Sequence, residues 1–525
     1  MNLRDSLLAA LASLPGTREI HIHVLVTAPR KYSALYPYAI PRPRLYAQDI
    51  LVLLSEQPDP DAPRVLVSAI EGCLYHSPTT STAILYVGKV DSTGQGMAPP
   101  PTATLVKAFV RWYADPATRP VPAEHLWVHL FARAQGQYLF PNSVEYEGKK
   151  PLSDRKLCAW WRRVLGEVAG QVLGSDSMRD GGRVKLYYIL PGCNELEASQ
   201  ILGSAISASS SSLSLASPQP AWTYGHPYSQ TEFPLPCPPP TADTPNLGHF
   251  IPSFEDDPKN RFMDEIALLT EAEGTKSPVR KRPRLASRGG KTEKDADHEK
   301  EKEKEHARDE KPKGELGSVK PDEFWDRMSF RQECVAGAIT GFFVAIFSSP
   351  PYKGKPVSRP SPLAPQPGQV PTAMNKRILT SLMQGNEFST LERGQKATEI
   401  LEGAIRGLCE GLTSTTAPTS RSHVPEGQSA QTDGDGLLVV PRTPPRKNTH
   451  LPSLEDISPN PFDEPEATLE TYRAHIYGSV YVSNPPLPPK AAVRSAETDG
   501  AGDGAPQAPK VNVLTVRKKK KKTDA

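Results

Sequence analysis

No stretch of this chain approaches the roughly 20 consecutive apolar residues that a helix needs to cross a bilayer. The longest such run lies near Ala336 to Phe347, so no membrane partner is expected. Six cysteines (Cys73, Cys158, Cys193, Cys237, Cys334 and Cys409) are scattered without a C-x-x-C pair, which argues against a disulfide framework or a zinc site and for a reducing compartment. Charge of one sign is also missing. With 62 Lys and Arg against 59 Asp and Glu, the formal charge is +3, too little for an electrostatic footprint on nucleic acid, and no direct sequence-specific DNA binding is expected. Neither a Walker loop, a G-x-S-x-G elbow, an H-E-x-x-H pair nor a kinase signature occurs, which leaves the common hydrolytic and phosphoryl-transfer classes without support.

Proline and glycine are plentiful, at 56 and 37 of 525 residues, and only 37% of the chain is apolar. Much of the length therefore cannot be core, and one large domain with disordered additions is expected. After an amphipathic N-terminal helix ended by Pro15-Gly16, four Val-, Ile- and Leu-rich runs (EIHIHVLVTA, DILVLLSE, RVLVSAIEGCLYH, TAILYVGKV) read as strands of one sheet. Helical spacing follows at Leu105 to Tyr113 and at Leu157 to Val172, the latter with Ser153 as N-cap, while HLWVHLF and VKLYYIL add strands. A further helix is expected in PDEFWDRM, a buried strand in GFFVAIF and a last helix over 391–412. The fold class is mixed α/β, a central β-sheet surrounded by helices. The domain spans 1–412, interrupted by a low-complexity loop at 203–247, a disordered charged insertion at 273–319 and a Pro-rich loop at 349–372. A disordered tail at 413–510 and a basic motif at 511–525 follow.

Chemistry could sit at the end of TAILYVGKVDSTGQG, where a strand runs into Asp91 and a turn with Gly94 and Gly96. Exposed amides at such a strand end can hold phosphate oxygens, although a plain glycine turn has the same pattern. Trp160 and Trp161 share a helix whose stripe needs one aromatic, so one indole is free to wall a channel. Asp256 and Asp257 stand at a helix entrance with Lys259 just inside. They read either as capping or as an Asp-Lys pair in a cleft, where burial weakens the hold on the ammonium proton. Basic clusters at 276–288 and 517–522 read as nuclear targeting or as contacts to acidic partners.

Five blocks in order, VGKVDSTG (87–94), QYLFPNS (137–143), LCAWWRRVL (157–165), FEDDPKNRF (254–262) and FWDRMSFRQE (324–333), resemble the fungus-specific histone H3 lysine acetyltransferases of the regulator-of-Ty-transposition family. These have an acetyltransferase architecture of the CBP type. The resemblance implies acetyl transfer from acetyl-CoA, without a metal, to the αN-helix core lysine and N-terminal tail lysines of H3 in H3-H4, in replication-coupled chromatin assembly in the nucleus. It implies NAP-type and anti-silencing-type histone chaperones as partners. Residue by residue it implies Asp91, Trp161 and Asp257 as needed for activity and Lys259 as autoacetylated. Coenzyme contacts would fall to Val90, Asp91, Ser92, Gly94, Gly96, Phe131, Lys149, Lys150, Leu152 and Trp160. The short Pro-rich link between Trp112 and His125 departs from the long basic loop of the budding-yeast member. The competing expectation is a non-catalytic nuclear scaffold for histone chaperones.

Overall fold

The computed structural model describes residues 2–207, 220–238, 245–268, 314–331, 338–350, 361–411 and 460–486. Its centre is a ten-stranded mixed sheet. In chain order the strands are β1 (Gly16–Val26), β2 (Arg30–Tyr32), β3 (Leu45–Gln57), β4 (Val65–Ser77), β5 (Thr82–Ser92), β6 (His125–Ala132), β7 (Arg183–Ile189), β8 (Trp222–Tyr224), β9 (Gly341–Ser348) and β10 (Tyr477–Asn484). They lie in the order β10-β1-β3-β4-β5-β6-β9-β7-β8, with β2 paired to β3. Most pairs are antiparallel, but β5 and β6 run parallel because a helix, α2 (Thr102–Ala114), carries the chain between them.

Both faces are covered, which explains why the central strands read as apolar runs with little alternation. On one face α1 (Leu3–Leu11), α2, α3 (Asp154–Leu173) and α4 (Glu195–Ser207) enclose a core running from Leu7 through Phe109 to Val168 and Phe347. On the other face two clusters divide the sheet. Helices α5 (Pro258–Leu268) and α6 (Pro321–Met328) pack over the β5–β9 half around Trp127, Phe254 and Phe324. Helices α7 (Thr372–Gln384) and α8 (Leu391–Cys409) pack over the β1–β4 half around Leu51, Ile378 and Leu401.

The mixed α/β sheet and its helices match the expected fold class, and several boundaries change. The tail assigned to 413–510 is not wholly outside the domain, because β10 pairs with β1 from Gly16↔Asn484 to His23↔Tyr477. Ile476 and Val482 are buried there. Within the loop placed at 203–247, α4 continues to Ser207, β8 joins the sheet, and Tyr228, Phe233 and Cys237 enter the core. The insertion given as 273–319 ends earlier, since Leu316 and Val319 are buried, and in the loop at 349–372 Val370 bridges Thr27. Ser153 does occupy the N-cap of α3, but its hydroxyl makes no capping bond. Instead the Asp154 carboxylate accepts the N–H groups of Arg155 (2.7 Å) and Ile339 (2.7 Å). Residues 208–219 of the low-complexity loop, most of the charged insertion, the basic clusters at 276–288 and 517–522 and the motif at 511–525 lie outside the described residues. No described helix is long and apolar enough to cross a membrane.

Candidate functional site

The parallel pairing of β5 and β6 stops at Val87↔Leu130, yet β5 continues to Ser92 and β6 to Ala132. Beyond that point, among the described residues, β5 is held only by β4, and β6 only by β9. The divergence starts at a bulge. Gly72 pairs with Val87 and Glu71 with Lys89, which leaves Gly88 as the extra residue that bends β5. A cavity of about 370 Å³ fills the opening. Its walls are residues 87–92 of β5, 130–135 at and beyond the end of β6, the first turn of α2, the 149–152 segment and Leu157, Trp160 and Trp161 of α3. Where two adjacent parallel strands part, their backbone amides and carbonyls face the gap and are free to pair with an extended ligand.

Asp91 organises this wall. Its Oδ2 accepts the backbone N–H groups of Tyr138 (2.7 Å), Leu139 (2.9 Å) and Phe140 (3.2 Å), and its Oδ1 accepts from Ser92 N–H (2.8 Å) and the Lys149 ammonium (2.9 Å). Lys149 also donates to Ser143 Oγ at 2.7 Å. One buried carboxylate therefore ties β5, the QYLFPNS segment and the 149–152 wall together. Gly94 serves the same junction. It adopts φ +77°, and a Cβ there would stand 2.5 Å from Lys149 Cα.

Trp160 and Trp161 meet edge to face at 4.7 Å, Trp161 buried and Trp160 half-buried, and both line the cavity. Among the described residues the cationic side chains on the wall are Lys89, Arg133, Lys149 and Lys150, against a single carboxylate, Asp91. Lys149 is taken up by Asp91, and Lys89 pairs with Glu71 (2.8 Å) and Asp256 (2.7 Å). Arg133 and Lys150 are exposed and have no ion pair among the described residues, so their charge is available to an anionic ligand.

Of the sequence-derived coenzyme contacts, Val90, Asp91, Ser92, Phe131, Lys149, Lys150, Leu152 and Trp160 all line this cavity, as does Trp161. Gly94 and Gly96 do not. The turn that carries Gly96 packs inward, where a Cβ would meet Val67 Cγ1 at 3.0 Å and Glu56 Oε2 at 3.1 Å. Glu56 is itself ion-paired with Arg18 at 2.7 Å and accepts Met97 N–H at 2.7 Å. Close packing by itself accounts for both glycines. Sequence reasoning missed Lys89, Arg133, Gln135 and Tyr138. The available signal was the strand-helix-strand order of β5, α2 and β6, since ligands collect beyond the carboxyl ends of parallel strands.

Asp257 and Lys259 lie beside this cavity, not in its wall. Asp257 stands just before α5 and accepts the Lys259 N–H at 2.9 Å, while its other oxygen takes the Lys259 ammonium. Helix capping and ion pairing thus coexist. Both residues are buried, at 2% and 3% exposure, and the ammonium sits over the rings of Phe342 (4.6 Å) and Phe254 (5.6 Å). Phe342 stacks in turn on Phe131 of the cavity wall at 4.7 Å. Burial lowers the Lys259 pKa from the ordinary lysine value against the pull of Asp257. Burial, reinforced by Lys259, holds neighbouring His129 neutral, with its pKa far below 6.5. Among the described residues no group of three or more His, Cys, Asp or Glu is placed to hold a metal ion.

A family model described as the histone acetyltransferase KAT11-type domain matches residues 115–403. A protein named histone acetyltransferase rtt109 from Aspergillus flavus is 27% identical over 364 residues, 64% of this chain and 55% of the relative. Its namesake from Schizosaccharomyces pombe is 24% identical over 267 residues, 50% of this chain and 51% of the relative. The matched stretches thus span about half the length of these curated relatives. The crystal structure of Rtt109 from Aspergillus fumigatus is similar with a TM-score of 0.55 and 25% identity, covering 77% of this chain and 96% of that one.

Proposed function

This chain belongs to the family of histone acetyltransferases with a KAT11-type domain, and from that premise we propose that it transfers acetyl groups from acetyl-CoA to lysines of histone H3. The observation that carries the reading is the cavity between the diverging ends of β5 and β6. It combines unpaired strand backbone, an indole pair and two free cations at its rim. An extended chain of amides ending in phosphates matches that set of groups: backbone for the amides, Trp160 for the alkyl parts, Arg133 and Lys150 for the phosphates.

Acetyl-CoA supplies the activated thioester. The chain has to bring a neutral lysine amine to the carbonyl and offer donors to the oxygen as charge develops there. Asp91 is the sole carboxylate among the described residues lining the cavity, and its oxygens already accept five hydrogen bonds. It is thereby a positioning residue that fixes the wall, and solvent receives the proton of the incoming ammonium. Trp161 closes the inner wall against water. Asp257 fixes Lys259 under the aromatic layer that supports Phe131.

The αN-helix and tail lysines of H3 as targets, H3-H4 as the presented form, NAP-type and anti-silencing-type chaperones as partners, a nuclear location and a role in replication-coupled chromatin assembly belong to the same proposal. They are supported by the resemblance over five sequence blocks. Autoacetylation of Lys259 is part of it too. The space beside Lys259 is about 10 Å³, no more than the ~10–15 Å³ that one water needs, so an acetyl group enters only if its neighbours move.

Incubating the protein with acetyl-CoA and H3-H4 and reading the products by mass spectrometry tests the activity. Acetylated H3 lysines are expected, together with a rise in melting temperature when acetyl-CoA alone is added. Thermal protection without product points to a bound coenzyme and a different acceptor. Absence of both leaves the non-catalytic scaffold as the better reading.

A further inference from the structure

We propose that a second cavity, separate from the one between β5 and β6, is a binding site for an uncharged small molecule with an apolar body and an amide-like polar end. It lies between the sheet and α2, measures about 530 Å³ and shares no lining residue with the first cavity. The register of three strands builds its floor. Val26 pairs with Ile50 across β1 and β3, and Gln48 pairs with Leu74 across β3 and β4. Trp112 and Tyr113 of α2 form one wall, and the 366–369 turn with His475 forms another. That second wall is tightly built, because Gly368 adopts φ +88° and a Cβ there would fall 2.5 Å from the His475 ring.

Three polar side chains on the lining are more than nine-tenths buried: Tyr113 (1% exposed), Gln48 (6%) and Gln369 (6%). Each keeps hydrogen-bonding capacity unused among the described residues. Gln48 donates through Nε2 to Thr27 O at 3.3 Å, which leaves Oε1 free, and Gln369 accepts Gln366 N–H through Oε1 at 2.8 Å, which leaves Nε2 free. The Tyr113 hydroxyl has no partner among them. These groups open onto the cavity, where water meets them in the free protein, so a ligand that offers a matching donor and acceptor keeps those bonds while its apolar body leaves water.

Charge on the ligand finds no counterpart. Among the described residues Arg4 is the only lysine, arginine or carboxylate on the lining, and Asp5 already holds its guanidinium at 2.6 Å, with the Arg473 and Tyr477 carbonyls accepting from Nη1. An apolar floor with convergent neutral donors and acceptors suits a neutral ligand, and the volume falls within the ~300–1,000 Å³ usual for small-molecule sites.

The test uses the full-length protein saturated with coenzyme A, which keeps the probes out of the first cavity. Phenylacetamide and the isosteric anion phenylacetate are titrated by ligand-detected NMR. Saturable binding of phenylacetamide, at least tenfold tighter than phenylacetate, is expected. Tyr113→Phe should weaken it about fivefold, the loss of one neutral hydrogen bond, and Val26→Trp should abolish it by filling the cavity. Should Val26→Trp fail to fold, Ala117→Trp at the exposed rim provides the same obstruction. Non-saturating binding, equal affinity for both probes, or binding that survives a folded blocking variant overturns the proposal. Since the site is defined without reference to acetyl transfer, its failure leaves the functional reading above untouched.

Discussion

Lys89 on β5 and Asp256 at the approach to α5 form an ion pair at 2.7 Å, joining the wall of the first cavity to the segment that carries Asp257 and Lys259. Burial pulls the Lys89 pKa down, but Glu71 and Asp256 outweigh it and the ammonium titrates above the ordinary lysine value. Asp256 is largely exposed, so the pair contributes no more than about 1 kcal/mol to stability. Lys89→Met is expected to leave the melting temperature nearly unchanged while acetyl transfer falls roughly tenfold, because small displacements of a reacting wall are costly in rate. Wild-type turnover in a folded Lys89→Met protein would show that the link is structural decoration.

Asp91→Asn replaces one of two acceptor oxygens with a donor that confronts either three backbone N–H groups or the Lys149 ammonium. A stability loss of about 1–3 kcal/mol is expected, with coenzyme binding and turnover both falling by about a hundredfold as the 137–143 segment detaches. Thermal unfolding and isothermal titration with acetyl-CoA read the two effects. A stable variant that binds normally but does not turn over would instead make Asp91 a participant in the chemistry.

Asp257→Asn strands a buried ammonium and should cost about 3–5 kcal/mol in denaturant unfolding. Adding Lys259→Met removes the stranded charge. The double variant is therefore expected to recover most of the lost stability, and additive losses would mean that the pair contributes little as a pair.

Acid should destabilise the fold through histidines held neutral inside it. Burial lowers the His23 pKa to about 4, and the His129 pKa lies well below 6.5. An unfolded histidine takes up a proton near pH 6.5 that the native one refuses, so the unfolded chain binds more protons below that point. Stability is full above pH 6.5 and declines by about 1.4 kcal/mol per pH unit for each histidine as the pH falls, for His23 down to about 4. His23→Leu is expected to flatten the decline between pH 6 and 4.5. An unchanged slope would assign the acid sensitivity elsewhere.

Chain ends placed after 486 and after 411 should behave differently. The first retains β10 and is expected to melt like the full chain. The second uncovers the edge of β1 from Gly16 to His23 and removes buried Ile476 and Val482. Loss of at least 3 kcal/mol follows from the apolar burial alone, measurable by denaturant titration, and equal stability would place the domain end at 411.

The central strands were legible because burial on both faces demands unbroken Val, Ile and Leu. β10 was not, because an edge strand half-exposed over YGSVYVSN between Pro-rich stretches carries little apolar signal. α7 escaped for a similar reason, since TAMNKRILTSLMQ buries only Met374, Asn375, Ile378 and Leu382. At the site, Asp91 and the tryptophan pair stood out by residue type. Lys89 and Arg133 did not, since a lysine or arginine looks ordinary until the strands around it diverge. Gly94 and Gly96 show the converse: a glycine required by a neighbouring backbone and one required by a phosphate leave the same mark in the chain.

The pairing of β10 with β1 also sets a timetable for the newborn protein. At synthesis rates of 5–20 residues per second, roughly 20 to 90 s separate the emergence of β1 from that of its last partner. During that interval one edge of β1 presents N–H and C=O groups with nothing beside them, an invitation to any passing strand. The sheet gains its outermost strand only when two segments separated by more than four hundred residues have met. Contacts of such sequence separation form late and slowly, so this pairing is expected to be among the last steps in building the sheet.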